Sequence, residues 1–194
     1  MPISPEAIDQ LFTNARTANG FLDKPVEPAT LRRIYEIACM APTSMNTQPA
    51  RFLFITTPAA RERLLPAMSA GNLDKTRSAP VTVIVATDTR FFEFMPEIWH
   101  KPGAKENFES NPALATATAN RNGTLGGAYF IMAARALGLD CGPMSGLDLN
   151  KVNSEFFPDG RWQANFAINL GYADRSKEFQ RNKRLSFEQA CKVL

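Results

Sequence analysis

Seven consecutive residues, Val81-Thr82-Val83-Ile84-Val85-Ala86-Thr87, constrain the fold of this 194-residue chain more than any other stretch. They are β-branched or apolar at every position, whereas a half-exposed strand would be apolar only at alternate ones. That pattern marks a strand covered on both faces. Arg51 to Thr57 and Phe166 to Tyr172 read as two further strands. Helical spacing fills the rest. Ser4-Pro5 opens a first helix by an N-cap followed by proline. A second runs from about Pro28 to Met40, and Pro58 opens a third, short one. A long helix is predicted from Ala113 to Leu137, stopped by Gly138. Its second half, from Gly126 onward, is almost wholly apolar, which predicts burial on most sides. Leu139 to Gly146 reads as a turn-rich connector and Asp148 to Phe156 as a short helix, and the tail closes with Leu185 to Ala190. Three to four strands among five or more helices are too few and too uneven for a regular doubly wound sheet. The expectation is α+β, helices around a small mixed central β-sheet, in one domain over residues 1–194.

Residues 89–112 break this regularity. Phe91, Phe92, Phe94, Trp99 and Phe108 crowd a stretch that also holds Pro96, Pro102, Gly103 and Pro112. Two readings stay open for this excursion: an arm packed at a subunit interface, or a lid over a ligand.

Composition removes several kinds of chemistry. The net charge of +3 is scattered, and the longest basic cluster is only Arg181-Asn182-Lys183-Arg184, so no nucleic-acid partner is expected. Cys39, Cys141 and Cys191 lie far apart with no CxxC, and His100 is the single histidine; no metal site is expected, and His100 is predicted to be exposed. Met1 to Pro5 has neither a charged n-region nor an apolar core, and Ala128 to Ala134 is too short to span a bilayer, which predicts a cytoplasmic protein with no membrane partner. No Gly-x-Ser-x-Gly elbow and no Gly-x-Gly-x-x-Gly after a strand is present; Gly123 to Gly127 reads as close helix packing. An apolar interior with few reactive side chains points to a cofactor that brings the chemistry.

Ala41-Pro42-Thr43-Ser44-Met45-Asn46-Thr47-Gln48-Pro49-Ala50-Arg51-Phe52 places a proline-bracketed loop of small hydroxyl and amide side chains between a helix and a strand. Such a loop suits a polar, planar ligand. It resembles the flavin loop of the FMN-dependent nitroreductase family, and three other segments match that family in order. Ala15 to Phe21 lies where the family has an Arg-x-Ser-x-Arg/Lys-x-Phe phosphate segment. Gly71-Asn72-Leu73-Asp74-Lys75 resembles an Asn-x-x-Lys element at the flavin edge. Leu137 to Gly146 resembles an Ala-x-Gly-Leu-x-x-x-Pro-x-x-Gly turn, and Arg184 matches a further phosphate-binding arginine. The Asn-Gly-Phe start, Gly-Asn-Leu-Asp-Lys, and the Arg184-to-Cys191 ending are similar to the malonic semialdehyde reductase branch of pyrimidine utilisation, whose members carry the name NADH dehydrogenase/NAD(P)H nitroreductase.

The resemblance implies a nitroreductase-like fold and an obligate homodimer, with FMN at the subunit interface. NADH or NADPH would be the co-substrate in ping-pong hydride transfer through flavin N5. It implies cofactor contacts from Arg16, Thr17, Asn19, Pro42, Thr43, Ser44, Asn46, Asn72, Lys75, Pro143, Met144, Ser145, Gly146 and Arg184, and no side chain acting as a nucleophile. In these roles Arg16 and Arg184 offer forked hydrogen bonds to a phosphate, and Lys75 places a cation where negative charge gathers on reduction. The implied small-molecule substrate is malonic semialdehyde, reduced to 3-hydroxypropanoate, its carboxylate held by Arg121 or Lys101. A broad nitro- or quinone-reductase is one alternative; an FMN-binding module without turnover is another. Two residues depart from the family: Asn19 stands where Lys or Arg is common, and Ser145 where well-known nitroreductases have Glu.

Overall fold

A computed structural model describes all 194 residues. Its sheet has four strands, β1 (Ala50–Ile55), β2 (Val81–Asp88), β3 (Asp140–Met144) and β4 (Trp162–Gly171), in the order β1-β2-β4-β3. Every residue of β2 is buried, as its unbroken apolar run requires. The helices are α1 (Pro5–Ile8), α2 (Pro28–Ala38), α3 (Pro58–Leu64), α4 (Leu73–Ser78), α5 (Met95–Ile98), α6 (Ala104–Glu109), α7 (Pro112–Ala136), α8 (Leu149–Phe156) and α9 (Phe187–Ala190). None is long and apolar enough to cross a membrane.

Strand alternation divides the core into two layers. Val81, Val83, Val85, Ile168 and Leu170 face α2 and α7, where Ile34 and Phe130 complete the packing. Ile84, Ala86 and Ala167 face the opposite way, against Leu64 of α3, Leu73 of α4 and Val152 of α8. The glycines of α7 let it lie close on the sheet. A Cβ on Gly126 would fall 2.5 Å from that of Ala50, and one on Gly127 would fall 2.5 Å from the Phe166 ring. Gly138 then turns the chain with φ of 78°, the left-handed conformation expected after a helix C-terminus.

Four expectations need correction. The α+β class stands, but all three strand ladders are antiparallel, and the only parallel pairing is a bridge between Thr17 and Cys141. The stretch read as a turn-rich connector contains β3, an edge strand on β4. Pro143 is tolerated there because an edge strand has one side without ladder bonds. The second half of α7 is not buried on most sides: Ala128, Tyr129 and Ala136 are exposed, and Ile131, Met132 and Arg135 are half-buried, continuing an exposed face that holds Leu114, Arg121 and Leu125. Residues 89–112 are more ordered than an irregular excursion, since α5 and α6 enclose a small core of Phe91, Met95, Ala104 and Phe108 on Ala115 and Ala119 of α7.

Candidate active site

The free edge of β3 gathers most of the candidate residues. The Ala18 N–H donates to the Cys141 carbonyl at 3.0 Å, which lays Arg16-Thr17-Ala18-Asn19 along that edge. Gly142 permits the approach: a Cβ there would sit 2.6 Å from the Ala18 oxygen. The C-terminal segment is tied to the same place. Arg181 donates to the carbonyls of Thr13 (2.6 Å) and Ala15 (3.0 Å), and Arg16 donates to that of Phe179. Between them opens a cleft of about 350 Å³. Arg16, Arg135, Arg181 and Arg184 line it with Thr17, Asn19, Gln180 and Asn182, and no carboxylate is among the lining residues. Each guanidinium spends a donor on a backbone carbonyl (Leu11 for Arg135, Asn182 for Arg184), which orients the fork and leaves other N–H groups free.

Further along β3, Gly146 is clamped. Its carbonyl accepts from the Asn72 side chain at 2.8 Å and from the Ser69 N–H at 2.9 Å. A Cβ at 146 would meet Asn72 Nδ2 at 2.6 Å. Met144 is buried, Pro143 half-buried and Ser145 exposed, and the N–H groups of Ser145 and Gly146 donate to no group in the chain. Lys75, three residues beyond Asn72 on α4, is half-buried, and burial pushes its pKa below that of a free lysine. Arg16, Thr17, Asn19, Asn72, Met144 to Gly146 and Arg184 thus gather along β3 and the turn after it, with Lys75 on the helix that Asn72 caps.

The loop before β1 forms a second group. The Ser44 N–H donates to Asn122 on α7 at 2.9 Å, and Asn122 is itself buried and bonded to Thr118. Thr43 accepts from the Gln48 N–H, and Asn46 donates to the Ile98 carbonyl at 2.9 Å. Met45, Asn46 and Gln48 all have positive φ (52°, 54° and 40°), an unfavourable conformation for side-chain-bearing residues. These bonds over-determine it and leave Pro42, Ser44 and Asn46 exposed. This group does not join the first. β1 and β3 are the two outer strands, three spacings or about 14 Å apart. One chain therefore carries two separate groups of candidate residues at opposite sheet edges.

A larger cleft of about 400 Å³ lies beside β1, walled by Tyr35, Phe52, Phe54, Phe94 and Trp162. It offers little free charge, because Asp88 neutralises its one cation, Arg51, at 2.7 Å. His100 is exposed and packs at a tilt of 50° against the Trp99 ring. The sequence reading missed Arg135 and Arg181 in the arginine cleft and Asn122 behind Ser44. The basic run at 181–184 was the visible cue for Arg181, whereas Arg135 and Asn122 are isolated residues of a helix.

Residues 13–172 match the model of the Nitroreductase family. A protein of Ralstonia nicotianae named "Putative NADH dehydrogenase/NAD(P)H nitroreductase" is 52% identical over 99% of this chain and 98% of its own. A Rhodopseudomonas palustris protein of the same name is 49% identical over 96% and 95%. The fold superposes with a TM-score of 0.85 on the crystal structure of a "putative nitroreductase in complex with FMN" from Exiguobacterium sibiricum, covering 100% and 99% of the two chains at 17% identity. With most of its length matched by the family model and half its residues shared with such relatives, this chain belongs to the Nitroreductase family.

Proposed function

We propose that the chain is an FMN-dependent NAD(P)H oxidoreductase that reduces malonic semialdehyde to 3-hydroxypropanoate. We propose further that it works as a homodimer in which each site joins the β3 half of one copy to the β1 half of the other. The carrying observation is the cleft at the β3 edge: four arginines, no carboxylate among its lining residues, continuous along one strand with the Asn72–Gly146 clamp and Lys75. That donor set fits a phosphomonoester at one end and a polar ring edge at the other.

Bound FMN would supply the two-electron chemistry that accepts hydride from NAD(P)H and delivers it to substrate. The chain's own residues bind and orient. Arg16 and Arg184, fixed by their carbonyl contacts, grip the phosphate, with Thr17 and Asn19 adding neutral donors. The free N–H groups of Ser145 and Gly146 offer hydrogen bonds from a clamped turn. Lys75, on the helix that Asn72 ties to that turn, carries a partly desolvated ammonium suited to stabilising anionic charge. Thr43, Ser44 and Asn46 of the partner copy close the other side.

Arg121 is the cation best suited to the substrate carboxylate. It lies on the exposed face of α7, forms none of the chain's ion pairs, and adjoins Asn122, which holds Ser44. Arg121→Ala should raise KM for malonic semialdehyde at least tenfold and leave KM for menadione unchanged, since one charge-assisted hydrogen bond contributes about 1.5–3 kcal/mol. The relatives' names favour the second reading, a broad nitroreductase. Comparing kcat/KM for the aldehyde and for a nitroaromatic decides between them, and equal or better nitro turnover removes the dedicated-aldehyde reading. The first test is the visible spectrum of the purified protein before and after anaerobic NADH or NADPH. Flavin bands that bleach support the reductase, bands that persist with both leave a binding module, and no uptake of added FMN overturns the proposal.

A further inference from the structure

The layer of core beneath α4 is apolar except for one chain of polar groups. Asn169 of β4, Thr82 of β2 and Thr76 of α4 each have 0% exposure. Thr82 Oγ1 donates to Asn169 Oδ1 at 2.8 Å. Asn169 Nδ2 donates to Thr76 Oγ1 at 3.2 Å and points its second hydrogen at the Met144 sulfur, 3.9 Å away. Thr76 Oγ1 lies 3.9 Å from the same sulfur. A thioether accepts but cannot donate, which fixes the amide with its nitrogen towards Met144.

Apolar residues would fill this layer without desolvating an amide and two hydroxyls. A fully satisfied buried network is worth keeping where it specifies one arrangement among several packings. The arrangement here concerns α4. Its six residues are too few to be helical unaided, and it carries Lys75 immediately before Thr76. On its outer side α4 is held through Asn72 on Gly146. On its inner side it is held through Thr76, and the same asparagine reaches Met144 at the end of β3. Both walls of the β3 half-site therefore converge on one side chain of the central sheet.

We infer that Asn169 is a positioning residue that sets Lys75 and α4 at a fixed distance from the Met144–Gly146 turn, and so tunes the reduction potential of the ligand bound there. This rests on the flavin reading above. The network anchors the helix turn that bears the Lys75 cation, and a cation near the ligand stabilises its reduced, more negative form, so loosening the network should weaken the reduced state more than the oxidised one.

The test uses Thr76→Val, which keeps shape and removes the hydroxyl, Thr76→Ser, which keeps the hydroxyl and removes the methyl, and Asn169→Leu. Two readouts are taken on the purified protein. Amide hydrogen exchange in the absence of flavin should speed up at least tenfold over residues 72–78 in Thr76→Val and Asn169→Leu, with β2 and β4 unchanged. In FMN titrations the same variants should bind at least tenfold more weakly. Their bound flavin should have a midpoint potential more negative by about 30 mV for each tenfold by which affinity for the reduced form falls further. Thr76→Ser should behave as the unaltered protein in both. A Thr76→Ser effect equal to that of Thr76→Val would make the contact plain packing and overturn the inference. So would unchanged exchange in Thr76→Val, or weaker binding with an unchanged potential. Should Asn169→Leu fail to fold, the two Thr76 variants decide. If the unaltered protein binds no FMN, the proposed function falls, and the exchange data alone judge whether Asn169 positions α4.

Discussion

Asp88 is the most consequential single carboxylate in the chain. It is 1% exposed, receives Arg51 at 2.7 Å and Arg161 at 3.3 Å, and caps the Arg90 N–H at 2.9 Å. Both guanidinium groups also flank the Phe94 ring, 5.5 and 5.6 Å from its centre, so one buried charge fastens the start of the 89–112 segment to the sheet. Removing one member of a buried ion pair strands the others. Asp88→Ala should cost about 3 kcal/mol in urea unfolding, at the low end for such pairs because both arginines keep some solvent contact. Cys141 offers a second test. Burial pushes its thiol up to about 12 from 9.0, so iodoacetamide at pH 8 should label exposed Cys191 and spare Cys141, as read by mass spectrometry. The folded state holds that proton longer than the unfolded one. Cys141 therefore makes stability fall as pH rises from 9.0 towards 12, by at most about 1.4 kcal/mol per pH unit. At this scale legibility followed clustering. Arg16 and Arg184 stood out beside small polar or basic neighbours, whereas Arg135 and Asn122 acquire a role only once α7 lies against partners over a hundred and nearly eighty residues away.

Elements were legible where local pattern and tertiary placement agree. β2 and α7 were read within a residue or two, and β1 and β4 differ only at their ends. β3 was missed because Asp-Cys-Gly-Pro-Met has no strand propensity; pairing with β4 makes it a strand, and proline survives at the edge. The exposed face of α7 was missed for the opposite reason. Its Leu, Ala and Tyr residues look like core, and only the sheet's one-sided contact with the helix shows which of them are left outside. The small residues of α7 give a prediction of their own. Gly126→Ala gains helix propensity but drives a methyl into Ala50, so net destabilisation of about 1–2 kcal/mol is expected in thermal or urea unfolding. Gly71→Ala, with nothing within 4 Å of the added carbon, should stay within about 0.5 kcal/mol.

At the scale of the whole molecule, the two groups of candidate residues stand on opposite edges of the sheet, which raises the question whether a single chain suffices. The β3 edge carries the arginine cleft and the Gly146 clamp, and the β1 edge carries Thr43, Ser44 and Asn46. Mixing two defective variants tests whether they meet between copies. Arg16→Ala damages the β3 half and Ser44→Tyr the β1 half. If a two-fold dimer pairs the halves, unfolding and refolding an equal mixture restores about one quarter of the sites, because half the dimers are mixed and one of their two sites is intact. If each chain works alone, the mixture stays as inactive as its parts. The segment of the chain beyond Glu178 bears on the same question, for it presents Phe179, Leu185, Phe187 and Val193 to solvent and is tied to the rest of the chain through Arg181 and the Phe179 carbonyl. If sites shared between copies are the working ones, reaction rate becomes a matter of encounter. In extracts diluted well below the dimer dissociation constant, rate would then fall with the square of protein concentration, so that each halving of the chain there would remove three quarters of the turnover.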